Sequence, residues 1–397
     1  MRALLVLGLV TWLGPLSLDA YGPALPAIAV DLDAGPTAVQ LTLSALVVGL
    51  AVGHLFAGSL SDRFGRRPVL LTGLAAFVVT TTMCALAPGI GTLVAARLLQ
   101  GLAAATALVI TKAAARDLYD GVTLARFLSH LAAIMPVAPA LGPLLAAVLL
   151  EAFSWRAIFV LVAAVGAAAL VVVHRSWPET SPAHVGAAPA GGRTPGPPGR
   201  QVVVELLRDR GFLTCVITFA LGSAVGLVLV AGAPFVLQEG YGLSPQAYSL
   251  LFVANAVVLV GAAQLNARLL RRLRPGRVVA LSLTCQLAVA GALTVALSTS
   301  VPVGPILVGL VVIVFFHGFL MPNLVAIGMH GVPQQRAGTA AALIGAGQYL
   351  VGGLAAPVVG LLGARPAALG ATMVALAAAA LVVHVGGERR RRARGTL

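Results

Sequence analysis

Asp19 falls deep in the first apolar run of the chain, where a charge is out of place; every other acidic residue lies in a loop or close to a helix end. A charged side chain at the centre of a bilayer costs ~2.5–3.5 kcal/mol on insertion scales unless it is neutralised or paired. Leaving water favours the protonated form of a carboxyl, so a group so placed can load and release protons near neutral pH. A structural hydrogen bond to another helix is the plainer alternative. Arg97 is the mirror case, set in the string Ala96-Arg-Leu-Leu-Gln-Gly101 some two turns inside the fourth apolar run. A guanidinium at that depth must face protein and find acceptors. It could stabilise ionised Asp19 in one conformation and release it in another, or simply lock two helices together. Gln100 and Thr106 mark an inward polar face beside it.

A second constellation lies between the second and third apolar runs, in Gly58-Ser-Leu-Ser-Asp-Arg-Phe-Gly-Arg-Arg-Pro-Val-Leu70. Gly65 permits a tight turn. Asp62 with Arg63, Arg66 and Arg67 can pair with neighbouring helix ends, and such pairs can latch a moving assembly until a proton or ligand shifts the balance. Arg116-Asp117, at the end of the fourth run, supplies partners. An ordinary basic loop would not need Gly, Asp and Arg at these spacings. In the fifth run Pro136, Pro139 and Gly142-Pro143 interrupt an apolar helix and let it bend or pack closely. His54 and His317 lie in apolar runs and read first as hydrogen-bonded packing groups. Cys84, Cys215 and Cys285 have neither metal-ligand nor disulfide spacing. A His-Glu-x-x-His string, a phosphate-cradling glycine loop and a Gly-x-Ser-x-Gly elbow are all missing, so neither enzyme, metal nor cofactor is expected.

The elements that must hold these residues are membrane spans. The 397 residues are 59% hydrophobic and only 10% charged, with mean hydropathy +1.00, against about a quarter charged in soluble domains. One span takes roughly 20 apolar residues, and runs bounded by charges, Pro or Gly predict helices over 3–31, 39–60, 69–87, 92–114, 127–150 and 156–174. A second set covers 211–237, 246–267, 277–298, 302–329, 338–362 and 366–386. Residues 175–210, rich in Pro and Gly, read as a flexible linker, and 387–397 as a basic tail that orients the chain and attracts anionic lipid. With both termini cytoplasmic, all 26 basic residues except Arg97, Arg156 and Arg365 fall on the inner side, as the positive-inside rule requires. The net charge of +14 therefore reports orientation and not nucleic-acid binding. Gly53, Arg63 and Arg66 recur at one constant offset as Gly261, Arg271 and Arg274. The expected fold is an all-α membrane protein of twelve transmembrane helices in two pseudo-symmetric six-helix bundles, 1–174 and 211–386.

The loop Gly58–Leu70 resembles the signature of the major facilitator superfamily, G-x-L-x-D-R-x-G-R-R/K. Asp19-Ala-Tyr-Gly-Pro-Ala-Leu-Pro, Arg97-Leu-Leu-Gln-Gly with Arg116-Asp117, Ala233-Pro-Phe-Val-Leu-Gln, Tyr241-Gly-Leu-Ser-Pro and Gln264-Leu-Asn-Ala-Arg-Leu narrow the resemblance to its Bcr/CflA-type drug-resistance branch. That resemblance implies drug/proton antiport by alternating access, with a small-molecule drug, protons and the bilayer as partners and a monomer as the working unit. It implies Asp19, Tyr21, Arg97 and Gln100 for proton coupling and the substrate cavity, and Gly58, Asp62, Arg63, Gly65, Arg66, Arg67, Arg116 and Asp117 for a cytoplasmic gate. Pro139, Gly142 and Pro143 correspond to the antiporter motif of the fifth helix, usually G-P-x-x-G-G, although Leu-Leu-Ala-Ala follows Pro143 here. His54 stands where such proteins often carry Gln. Pro139-Ala-Leu-Gly-Pro and Gln40-Leu-Thr-Leu-Ser also look like phenicol exporters, which points to chloramphenicol or florfenicol, with bicyclomycin-like compounds next. Export of an endogenous metabolite or amino acid is the rival reading. An excess of Ala, Gly, Leu and Arg with a single Lys suits GC-rich bacterial DNA, hence a bacterial inner membrane.

Overall fold

Long apolar runs satisfy their backbone hydrogen bonds internally only as helices, and the computed structural model is built from them. It describes residues 2–119, 121–135, 137–181, 199–299, 301–333, 336–362 and 365–393. Residues 182–198 of the expected linker, Pro136 and the last four residues of the tail lie outside the described residues.

Two compact units divide at Pro195/Gly196. The first holds α1 (Arg2–Asp19), α2 (Leu25–Asp31), α3 (Pro36–Phe64), α4 (Arg66–Ala85), α5 (Ile90–Leu118), α6 (Gly121–Ile134), α7 (Val137–Ala152) and α8 (Arg156–Ser176). The second holds α9 (Gly199–Arg208), α10 (Arg210–Pro234), α11 (Pro245–Leu269), α12 (Pro275–Ser298), α13 (Val303–His317), α14 (Leu320–Met329), α15 (Ala337–Ala355), α16 (Val358–Leu361) and α17 (Pro366–Ala393). Among the described residues, eleven segments are long and apolar enough to cross a membrane. The fifth span is the exception: it divides into α6 and α7, and only the shorter apolar Val137–Ala152 registers. With it the count reaches the expected twelve.

Three boundaries differ from the hydropathy reading for identifiable reasons. The fifth span starts near residue 121 and breaks after Ile134, where Pro136 cannot donate its helix hydrogen bond. Within the segment read as linker, Gly199–Arg208 forms a helix. Its Val202 and Leu206 are buried in a core with Phe212, Val216 and Ile344, an amphipathic pattern too short to register as a span. The last helix runs on to Ala393, through the arginines read as tail, a stretch of good helix formers with no Pro to stop it; within the span, His384 donates its Nε2 to Gly276 O at 2.9 Å and holds α17 against the start of α12.

Two features of the first unit position its chemistry. Span one is bent: α1 ends at Asp19, a 3₁₀ turn covers Gly22–Ala24, and α2 resumes at Leu25. Pro23 and Pro26 each remove a donor from this stretch, so a continuous helical hydrogen-bond ladder cannot run through it. Meanwhile α3 and α5 meet backbone to backbone. A Cβ on Gly49 would stand 2.2 Å from Leu98 O, and one on Gly101 would stand 2.0 Å from Leu46 O. Only glycine allows that approach, the small-residue contact typical of membrane helices. It fixes the rotation of α5 and hence the direction of Arg97 and Gln100.

Candidate functional site

Arg97 is wholly buried, with 0% of its surface exposed. Its Nη1 donates to Ser17 O at 3.0 Å and to Gln100 Oε1 at 2.8 Å. The first bond caps the broken end of α1, where a cation is favoured by the partial negative charge of free carbonyls. Gln100 passes the network on, its Nε2 donating to Thr81 Oγ1 at 2.9 Å, so α1, α4 and α5 are tied through one guanidinium. Its Cζ lies 4.3 Å from the centre of the Tyr21 ring and 5.6 Å from that of Phe159, a stacking that stabilises a desolvated cation. Nε and Nη2 have no hydrogen-bond partner among the described residues. Tyr21 itself donates to Thr42 Oγ1 at 2.7 Å, because that hydroxyl spends its own proton on Val39 O at 2.6 Å.

Asp19 is the last residue of α1, two residues beyond the Ser17 carbonyl that Arg97 holds, and does not enter this network. It is half-buried, and among the described residues neither an ion pair nor a hydrogen bond joins it to Arg97 or to any other group. The pairing allowed for by the sequence is therefore not made in this conformation: the arginine is held by a carbonyl and an amide, and the carboxyl is left open. Beside it packs the antiporter string of α7. A Cβ on Gly142 would lie 3.2 Å from Leu16 Cδ1 and 3.4 Å from the Cβ of Ala20, so α7 rests on the bend of span one. Gly142 and Pro143 are buried and Pro139 is half-buried. His54, read as a packing group, shares a 2.7 Å bond with Leu50 O one turn back in its own helix. His317 sits at the break between α13 and α14.

The loop constellation assembles at the end of the unit where α3, α4, α5 and α8 converge. Gly65 has φ 94°, a left-handed backbone that other residues adopt only under strain. The turn delivers Arg66 between two acids: Nη1 lies 2.5 Å from Asp62 Oδ1, and Nε lies 2.9 Å from Asp117 Oδ2. Arg66 Nη1 also donates to Ser61 Oγ at 2.6 Å. The Arg66 and Asp117 side chains are only 12% and 8% exposed, whereas Asp62 is 66% exposed, so Asp117 is the buried anchor and Asp62 the solvent-side partner. Arg67 Nη2 donates to His174 O at 2.8 Å and caps α8. Gly58 faces α5, and a Cβ there would lie 3.8 Å from Val109 Cγ1. Arg63 and Arg116 are exposed and form no ion pair among the described residues.

Two features escaped the sequence reading. At the opposite end of the unit Asp31 Oδ2 accepts from Arg156 Nη1 at 2.6 Å and from Trp155 Nε1 at 3.0 Å, while Arg156 Nη2 donates to Ala87 O at 3.3 Å. This clamp ties α2 and α8 to the end of α4, and the position of Asp31 at the end of the first span was its only signal. The second is Glu179, just beyond α8, which accepts backbone N–H groups from the start of α4.

Comparison with known proteins is consistent with this arrangement. Residues 7–357 match the Major Facilitator Superfamily model. The uncharacterized MFS-type transporter YdgK of Bacillus subtilis is 32% identical over 391 residues, 97% of this chain and 95% of that protein. Multidrug resistance protein MdtL of Escherichia coli is 32% identical over 84% of this chain and 82% of its own length. A bicyclomycin resistance protein homolog of Haemophilus influenzae is 27% identical over 88% and 87%. Among solved structures, a bacterial homolog of the human lysosomal transporter Spinster superposes with TM-score 0.75 at 14% identity, covering 98% of this chain and 96% of that one. The nucleoside transporter NupG gives 0.75 at 13% identity, covering 98% and 99%; at such identities the two speak for the fold alone. The chain belongs to the major facilitator superfamily and, by its drug-resistance relatives, to the Bcr/CflA-type branch.

Proposed function

We propose that this protein is a proton-coupled drug exporter of the bacterial inner membrane, a transporter and not an enzyme, with both termini in the cytoplasm. One observation carries the reading: a single carboxyl, Asp19, stands unpaired at a mid-span helix break while Arg97 is occupied by Ser17 O and Gln100. A proton entering from outside neutralises Asp19 as drug leaves, and inward opening releases the proton as new drug binds. The flexing of span one against Gly142 and Pro143 accompanies the exchange, and the Asp62–Arg66–Asp117 cluster latches the cytoplasmic side between strokes. One proton crossing about 150 mV supplies about 3.5 kcal/mol, which sustains a gradient of a neutral drug near ~300-fold. One acid suffices.

The names of MdtL and of the bicyclomycin resistance homolog support drug cargo, and the strings around Pro139 and Gln40 favour a phenicol such as chloramphenicol or florfenicol. Export of an endogenous metabolite remains the second reading. A screen in everted vesicles separates them, reading proton release as each compound is added. Release with phenicols or bicyclomycin and not with amino acids is the expected result; release with metabolites alone would move the assignment to the second reading, and no release with any compound would discard proton coupling.

A further inference from the structure

We propose that Glu179 is a positioning residue of the loop gate, fastening the chain that leaves α8 to the first turn of α4. Its Oε1 accepts the backbone N–H of Arg66 at 2.9 Å, and its Oε2 accepts that of Arg67 at 3.0 Å. These are the first two amides of α4, which no carbonyl of the helix can reach. A carboxylate at that end also meets the positive pole of the helix. Oε1 accepts two more amides from its own segment, Thr180 N at 2.9 Å and Ser181 N at 2.8 Å.

The contact is built from both sides. Trp177, Thr180 and Ser181 are buried although their segment has no regular structure, so the strap is seated on the protein. A Cβ on Gly65 would stand 2.6 Å from Glu179 Oε2; the glycine therefore serves twice, by its positive φ and by leaving room for the carboxylate. In return Arg67 Nη2 caps α8 at His174 O. Each helix end satisfies the other's orphan backbone groups. Because Arg66 carries the ion pairs to Asp62 and Asp117, a pull on the strap at residue 181 is transmitted to the gate. Partial burial raises the Glu179 carboxyl, but the amides of Ser181, Arg66, Arg67 and Thr180 outweigh it and hold the group below the usual glutamate range. It stays charged at every physiological pH.

The consequence for flux rests on the transporter reading; the contact does not. The test is amide hydrogen exchange on the full chain in nanodiscs, with peptides covering 62–70, alongside drug export rates. In Glu179→Gln the amides of Arg66 and Arg67 should exchange at least tenfold faster than in the parent protein, and export turnover should fall severalfold with the drug KM unchanged. If Glu179→Gln does not accumulate, Gly65→Ala, whose methyl displaces the same carboxylate, should deprotect the Arg67 amide equally. Unchanged protection would overturn the proposal, and so would faster exchange with turnover intact. Should the parent protein export nothing, the transport reading fails while the exchange result still decides the contact.

Discussion

Two loops occupy corresponding places, one in each unit, and they differ in what surrounds their arginines. Asp62–Arg67 joins α3 to α4; 270–275 joins α11 to α12, and the constant offset sets Arg271 and Arg274 opposite Arg63 and Arg66. In the first loop Arg66 is buried between acids, Gly65 turns at positive φ, and Glu179 holds the following helix. In the second, Leu270 takes the place of Asp62 and Leu273 that of Gly65, and the same offset pairs Val325 with Asp117. Arg268, Arg271, Arg272, Arg274 and Arg277 form no ion pair among the described residues. One element does recur: Glu388 lies beside the start of α12, 2.8 Å from a Cβ built on Gly276. The lesson is that basic residues alone orient a loop, whereas acids on neighbouring helix ends turn it into a latch.

Matched substitutions can break or sharpen this contrast, and the largest effect should come from the turn. Gly65→Val places a β-branched residue at φ 94° and into the Glu179 carboxylate, costing ~1–3 kcal/mol in backbone strain alone. Export should fall more than tenfold at equal membrane abundance, while Leu273→Gly stays within twofold. Equal losses in both would erase the distinction between the loops. Next comes Asp117→Asn, which strips a charge from the buried side of Arg66; thermal melting should report a loss of about 1–3 kcal/mol. Arg274→Ala, at the counterpart position, should change stability by less than about 0.5 kcal/mol. Asp62→Asn removes a partner that is 66% exposed, so stability should barely move. Transport turnover should nevertheless drop severalfold with drug affinity intact, and the reverse pattern would contradict the latch.

The smallest effect concerns pH. A depressed carboxyl contributes stability above its unfolded value, and that contribution disappears as pH falls through the folded one. Glu179 sits below the usual glutamate range, so its bonds to α4 are complete from pH 8 to 5 and weaken only in stronger acid. The corner also contains Arg66, Arg67 and Arg175, and the exposed His174. Protection of the Arg66 and Arg67 amides, corrected for intrinsic exchange, should therefore be flat across that interval.

Much of this was legible in the sequence because membrane spans write themselves as apolar runs and charges crowd their ends. Asp62, Arg66 and Asp117 stood out since acids are scarce here, and the structure brings the three together. Other features depend on information that residue types do not carry. Glu179 acts on backbone amides, which every residue has, from inside a Pro-rich stretch that looked unstructured. Arg97 could be placed at mid-depth, but its direction follows from the Gly49–Gly101 approach of α3 to α5, a three-dimensional fact. For that reason the open carboxyl and the occupied guanidinium could not be told from a salt bridge. The helix Gly199–Arg208 was missed because ten amphipathic residues leave little trace in a hydropathy profile.

Proteoliposomes holding equal amounts of the parent chain and of Asp19→Asn, loaded with a pH dye, give the most direct reading. A drug gradient imposed on the parent should move protons the opposite way; the variant, correctly inserted and still binding drug, should move none. Proton movement of equal size in the variant would mean that the carboxyl at the bend of span one is not the coupling group.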